Sequence, residues 1–135
     1  MHPILRVSLI LSVAALIAAA ETVIVHPGNA AASLSKDDLD AIYNGKKANW
    51  PDGAKIVIAV MDGPVHESFL KAYVGKTSAQ FSASWKKIVF TGKAKAPQEC
   101  KDDAAMAAFV AATPGAIGYV SDAAAAGGAK VVAVQ

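Results

Sequence analysis

Ile56-Val57-Ile58-Ala59-Val60 is an unbroken apolar run, and together with the segment after it constrains this chain more than any other stretch. A strand of alternating character keeps one face in water. A run that is apolar at every position needs cover on both faces, as in a parallel sheet with helices above and below. Lys55 to Met61 is therefore read as a buried strand, ended by Asp62-Gly63-Pro64. Pro64 suits the first helical turn, where its missing N–H costs nothing. Val65, Phe69 and Tyr73 then recur every fourth residue with Leu70 and Val74 beside them, which predicts an amphipathic helix ending at Gly75.

The same alternation continues on either side. Thr22 to Val25 reads as a short strand bounded by Pro27-Gly28-Asn29. Ser35 is placed to cap a helix with Asp37 and Asp38 in its first turn, Leu39, Ile42 and Tyr43 on its apolar face, and Asn44-Gly45 as its stop. Thr77 or Ser78 caps a further helix carrying Phe81, Trp85 and Ile88, and Thr91 to Lys101 is a basic, turn-rich loop. Asp102 or Asp103 opens an Ala-rich helix with Met106, Phe109 and Val110, which Thr113-Pro114-Gly115 terminates. Ile117 to Val120 is a strand, Ser121 caps a small Ala-rich helix ending at Gly127-Gly128, and Val131 to Val134 is the last strand. Strands alternating with helices define an α/β chain with mostly parallel pairing and helices flanking the sheet.

Composition narrows the function. Hydrophobic residues make up 54% and charged residues 18%, which excludes a disordered tail, and a net charge of +2 without a dense basic stripe excludes nucleic acid as a partner. Residues 1–20 have the form of a signal peptide: Arg6, a short apolar run from Val7 to Ile17, then Ala18-Ala19-Ala20 before Glu21. Export to the periplasm and one domain over residues 21–135 are the expectation. The mature part would hold 12 lysines and 11 acids. Cys100 is the only cysteine, so no intramolecular disulfide forms, and its polar neighbours predict partial exposure.

Familiar catalytic patterns fail one by one. His66-Glu67 opens a zinc-protease motif, but Leu70 stands where its second histidine belongs. Gly75-Lys76-Thr77 lacks the upstream glycine of a phosphate-binding loop, and no nucleophile elbow is present. No catalytic residue, metal or cofactor is assigned. The candidate site is the turn Asp62-Gly63-Pro64-Val65-His66-Glu67-Ser68, because ligands of open α/β sheets collect beyond the carboxyl ends of strands, near helix N-termini. The loop after the first strand, with Gly28 and Asn29, is expected to open onto the same edge. The bland alternative is that Asp62-Gly63-Pro64 is only a turn and a cap.

Two longer segments resemble one family. Leu34-Ser35-Lys36-Asp37-Asp38-Leu39-Asp40-Ala41-Ile42-Tyr43-Asn44-Gly45-Lys46 followed by Trp50 resembles one motif of the phosphate-transporter substrate-binding proteins. Phe109-Val110 followed by Thr113-Pro114-Gly115-Ala116-Ile117-Gly118-Tyr119-Val120 resembles another, in the family's order, and Trp85 with Phe90-Thr91-Gly92-Lys93 looks like the family's short members. The resemblance implies a type-2 periplasmic-binding fold, of which this length accommodates one lobe. It also implies a non-catalytic module for phosphate or another small oxyanion, working with a membrane transporter component. The two turns supply the candidate ligand contacts Gly28, Asn29, Asp62, Gly63, His66 and Ser68, and His66, when protonated, would supply the positive charge. The anion loop departs from the family: no Arg ends the strand, and Pro64-Val65-His66-Glu67 replaces hydroxyl and glycine donors. Each lost donor to a charged ligand removes about 1.5–3 kcal/mol. The alternative reading is a protein-interaction module, as a homodimer or accessory subunit, that has lost its ligand.

Overall fold

The computed structural model of the protein describes residues 21–135. The expected signal peptide lies outside the described residues. Helix α1 (Lys36–Tyr43) starts at a capping box: Ser35 Oγ accepts the Asp38 N–H at 3.0 Å, and the Asp38 carboxylate accepts the Ser35 N–H at 3.3 Å. Its Leu39, Ile42 and Tyr43 are buried, as their spacing requires. Helix α2 (Pro64–Phe69) continues through a wider π-type turn, Leu70–Val74, to a left-handed Gly75. Helix α3 (Ser78–Phe90) has its own capping box, built by Thr77 and Gln80, and Asp102 caps α4 (Asp103–Ala112) through the Ala105 N–H. Ser121 caps no helix. Ala123–Ala126 is a single tight turn entered from Asp122, while the Ser121 amide and hydroxyl both donate to Asp103.

Six strands form one sheet: β1 (Thr22–Val25), β2 (Ser33–Leu34), β3 (Val57–Met61), β4 (Gln98–Cys100), β5 (Ala116–Val120) and β6 (Lys130–Val134), in the order β2-β6-β1-β5-β3-β4. β3 runs parallel to β4 and β5, and β2 parallel to β6, so most pairings are parallel. β1 is the exception, antiparallel to both β5 and β6. The edge strands β2 and β4 go beyond the sequence expectation, and β4 lies inside the predicted loop. Its pairing with β3 sets Met61 opposite Cys100 and buries the cysteine, which corrects the expected partial exposure. Burial pushes that thiol up from its ordinary pKa.

The reversed β1 corrects the expected site. Val25 pairs with Ile117, and Thr22 with Val120, whereas β3 enters level with Ala116 and Ile117 and leaves toward Tyr119. The carboxyl ends of β1 and β3 therefore lie at opposite ends of the sheet. The turn 26–29 sits at the amino end of β3 and β5, where the His26 N–H donates to the Ala116 carbonyl at 3.2 Å.

All five residues of β5 are buried, so both faces of this strand are covered. On one face Gly118 admits α4: a side chain there would meet Met106 and Val110. On the other, the Tyr119 ring stacks on Phe69 with centroids 4.0 Å apart, and Tyr43 meets Phe69 edge-on at 4.9 Å. The Tyr43 hydroxyl donates to the Ala59 carbonyl at 3.1 Å, and Trp85 Nε1 donates to the Tyr43 carbonyl at 2.8 Å. These bonds tie α1 and α3 to the sheet beside the end of β3.

Candidate functional site

The site is built where β3 turns into α2. Gly63 occupies φ +89°, a conformation that favours glycine, and so reverses the chain within one residue. Its carbonyl accepts the His66 N–H at 3.0 Å and the Glu67 N–H at 3.2 Å, and Pro64 has no N–H to offer. The His66 and Glu67 amides are thus engaged within the turn.

His66 points inward and is 6% exposed. Its Nδ1 lies 2.6 Å from the Tyr119 hydroxyl, which accepts the Met61 N–H at 2.9 Å. The hydroxyl also lies 3.5 Å from the Met61 carbonyl, so Nδ1 at 2.6 Å is by far the nearer acceptor for its proton. With the bond assigned as O–H to Nδ1, the neutral ring carries its own proton on Nε2. Burial holds this imidazole below its ordinary pKa, against the opposing pull of Asp62, Glu67 and Glu99. A positively charged His66 reaching for an anion, the sequence expectation, is corrected: the ring is locked, neutral and hydrogen-bonded into the core. Its Nε2–H meets no protein acceptor among the described residues.

Of the other expected contacts, Asp62, Gly63 and Ser68 are exposed around the same junction. Gly28 and Asn29 are not brought to it. They form a self-contained turn at the far end of the sheet, with the Gly28 N–H on His26 Nδ1 at 3.0 Å and Asn29 Oδ1 accepting the Ala31 N–H at 2.8 Å.

The carboxyl ends of β4 and β5 adjoin this junction, and carboxylates already occupy their donors. Asp102 accepts the Ala105 N–H at 2.8 Å, and Asp103 accepts the Ser121 N–H at 3.0 Å. With Asp62, Glu67 and Asp122 this edge is acidic, which raises the cost of bringing an anion to it. Next to His66 a groove of about 560 Å³ runs between α3 and the β3–β4 edge, with Met61, Phe81 and Trp85 among its apolar lining and Asp62, Ser78, Ser82, Lys86 and Glu99 as polar groups. Apart from Asp62, sequence reasoning misses these residues. Phe81 and Trp85 have ordinary core spacing, and Glu99 falls in a segment whose polarity predicts a loop. Among the described residues no three His, Cys, Asp or Glu side chains gather as a metal site.

A family model described as "PBP superfamily domain" matches residues 13–134. The chain belongs to this family. Its fold matches solved structures of phosphate-transport receptors. One is a candidate phosphate ABC transporter substrate-binding protein with bound phosphate from Clostridium perfringens, at TM-score 0.66 and 20% identity, covering 86% of this chain and 45% of that one. An ABC-type phosphate transport receptor from Vibrio cholerae matches at TM-score 0.58 and 17% identity, over 86% and 46% of the two chains. PstS from Borrelia burgdorferi matches at TM-score 0.58 and 19% identity, over 87% and 47%. The chain spans about half the length of these structures, as one lobe of the fold does. No curated protein matches the sequence.

Proposed function

We propose that this PBP-superfamily chain is an exported, non-catalytic binding module that holds a small solute by that solute's hydrogen-bond acceptors in the groove beside His66. The observation that carries the reading is a buried imidazole held through Nδ1 by the Tyr119 hydroxyl, which leaves Nε2, the protonated nitrogen in the tautomer assigned above, to the groove. Such a donor suits a carbonyl, ether or weakly charged oxygen. Ser78, Ser82 and Trp85 would complete the contacts, in the usual pattern of a few polar groups on apolar walls. Asp62, Gly63 and Ser68 would form the mouth.

Phosphate, the ligand bound in the C. perfringens structure, is retained as a weak occupant only. The His66 and Glu67 amides are engaged internally, no Arg or Lys stands at the end of β3, and Asp62 and Glu99 share the groove with Lys86, its one cation among the described residues. Export rests on the form of residues 1–20, and a membrane transporter component as partner rests on the family relation. Calorimetry of the full chain tests the reading with two arms, inorganic phosphate and a panel of uncharged polar solutes. The expected result is heat from at least one uncharged solute, lost in Ser82→Trp, and no phosphate binding below the millimolar range. Phosphate binding at micromolar concentration, or heat from no solute, would sink it.

A further inference from the structure

The basic segment between α3 and β4 borders one end of the groove through Lys86, Val89 and Phe90 and carries a cluster of charge that the groove chemistry does not use. Residues 68–98 contain six lysines and no acid, and four of them, Lys86, Lys87, Lys93 and Lys95, fall at the end of α3 and the turn after it. All four are exposed. The one ion pair among the described residues joins Lys47 to Asp38, far down the chain from them. Phe90, in their midst, is 91% exposed, and its neighbour Val89 is 41% exposed. This tip is held firmly: the Gly92 N–H donates to the Val89 carbonyl and the Lys93 N–H to the Ile88 carbonyl, a Schellman closure with Gly92 at φ +75°. Phe90 therefore projects from a fixed turn surrounded by unpaired cations.

We propose that this tip is a membrane-surface contact, in which Phe90 enters the headgroup layer of an anionic bilayer and Lys87, Lys93 and Lys95 meet its phosphates. Charge complementarity identifies the partner: lysines without nearby carboxylates are attracted to an anionic surface, and a projecting aromatic adds apolar contact without demanding a matching shape. A protein partner fits less well. Its contact centres favour Arg, Trp and Tyr and are depleted in Lys, and residues 21–135 contain no Arg. No helix among the described residues is long and apolar enough to cross a membrane.

The test compares the full chain on vesicles of phosphatidylcholine alone with vesicles holding about 30 mol% phosphatidylglycerol. The neutral vesicles account for any partition of the apolar stretch in residues 7–17. Expected is a binding excess on the anionic vesicles that high salt removes and that Lys93→Gln/Lys95→Gln lowers about tenfold or more. These two positions lie on an exposed turn, and unchanged circular dichroism would show the variant folded. In Phe90→Trp the new indole emission should move to the blue on anionic vesicles only; the native Trp50 and Trp85 are each 5% exposed and give a steady background. Equal binding to both vesicle types overturns the proposal, as does an anionic excess that the lysine variant leaves intact. A Phe90→Trp shift with soluble poly-glutamate but not with vesicles overturns it in favour of an acidic protein.

Discussion

The hydroxyl of Tyr119 accepts from Met61 and donates to His66, so one oxygen joins the end of β3, the first turn of α2 and the middle of the sheet. Tyr119→Phe keeps the ring stacked on Phe69 but strands the Met61 N–H and His66 Nδ1. A buried group left without its partner costs about 1–3 kcal/mol, which urea unfolding would measure directly. His66 makes a second expectation, in pH. Its folded-state pKa lies below the ordinary value of 6.5, so in that interval the unfolded chain binds the proton more readily. The stabilisation is complete above the ordinary value and falls as pH drops through it toward the lowered one. Urea midpoints should decline between about pH 7.5 and 5, and His66→Gln should flatten that decline. An unchanged slope in the variant would remove His66 as its source. Little of this is legible in the sequence. Asp62-Gly63-Pro64 announces a turn, and a histidine just after a turn reads as exposed; what buries it is Tyr119, 53 residues later.

Elements whose signals are local are legible in the sequence. Ser35 with Asp38, Thr77 with Gln80, and Asp102 each carry cap and helix start within four residues, and all three caps form. Ser35→Ala should cost about 1 kcal/mol, seen as a lower unfolding midpoint, since it removes the side-chain half of the α1 capping box and leaves the Asp38 N–H without its acceptor. The strands are legible by apolar content, except for β2 and β4. Gln98-Glu99-Cys100 has no apolar pattern, because an edge strand needs only one covered side and one neighbour. The direction of β1 is not legible either, since Val23-Ile24-Val25 is equally apolar in both senses. Two glycines in the Pro114–Tyr119 stretch separate backbone from side-chain demands. Gly115 sits at φ +83° with its open side against the Lys55 carbonyl, while Gly118 faces the flexible end of Met106 and, at 3.1 Å, Val110. Gly115→Ala adds the left-handed cost of about 1–2 kcal/mol to a collision with backbone that cannot yield. It should therefore lower the unfolding midpoint more than Gly118→Ala, which Met106 can partly absorb; the reverse order would contradict this account of the turn.

At the scale of the whole molecule, charge is biased along the strand axis, with Lys36 and Lys101 at the otherwise acidic end and Asp52 at the otherwise basic one. Asp62, Asp102, Asp103 and Asp122 follow the carboxyl ends of β3, β4 and β5. Lys55 and Lys130 lie at the amino end, the first with its carbonyl against Gly115 and the second paired with Val25. Lys93 and Lys95 join them, in the turn that enters β4 at the level of Ala59. Composition hides this, because 12 lysines nearly cancel 11 acids over residues 21–135. The topology exposes it, since parallel neighbours bring segments distant in sequence to one edge. On the proposals above, the carboxyl end is the poorer and the amino end the better place for an anion. A cation-exchange column at neutral pH distinguishes sorted from scattered charge, because retention follows the strongest patch more than the net value. Lys93→Glu/Lys95→Glu and Lys36→Glu/Lys101→Glu change net charge equally, yet the first removes cations from the basic end and the second from the acidic one. The first variant should elute at distinctly lower salt than the second. Coincident elution would mean that the basic end does not act as a patch, and the membrane-contact proposal would lose its electrostatic footing along with it.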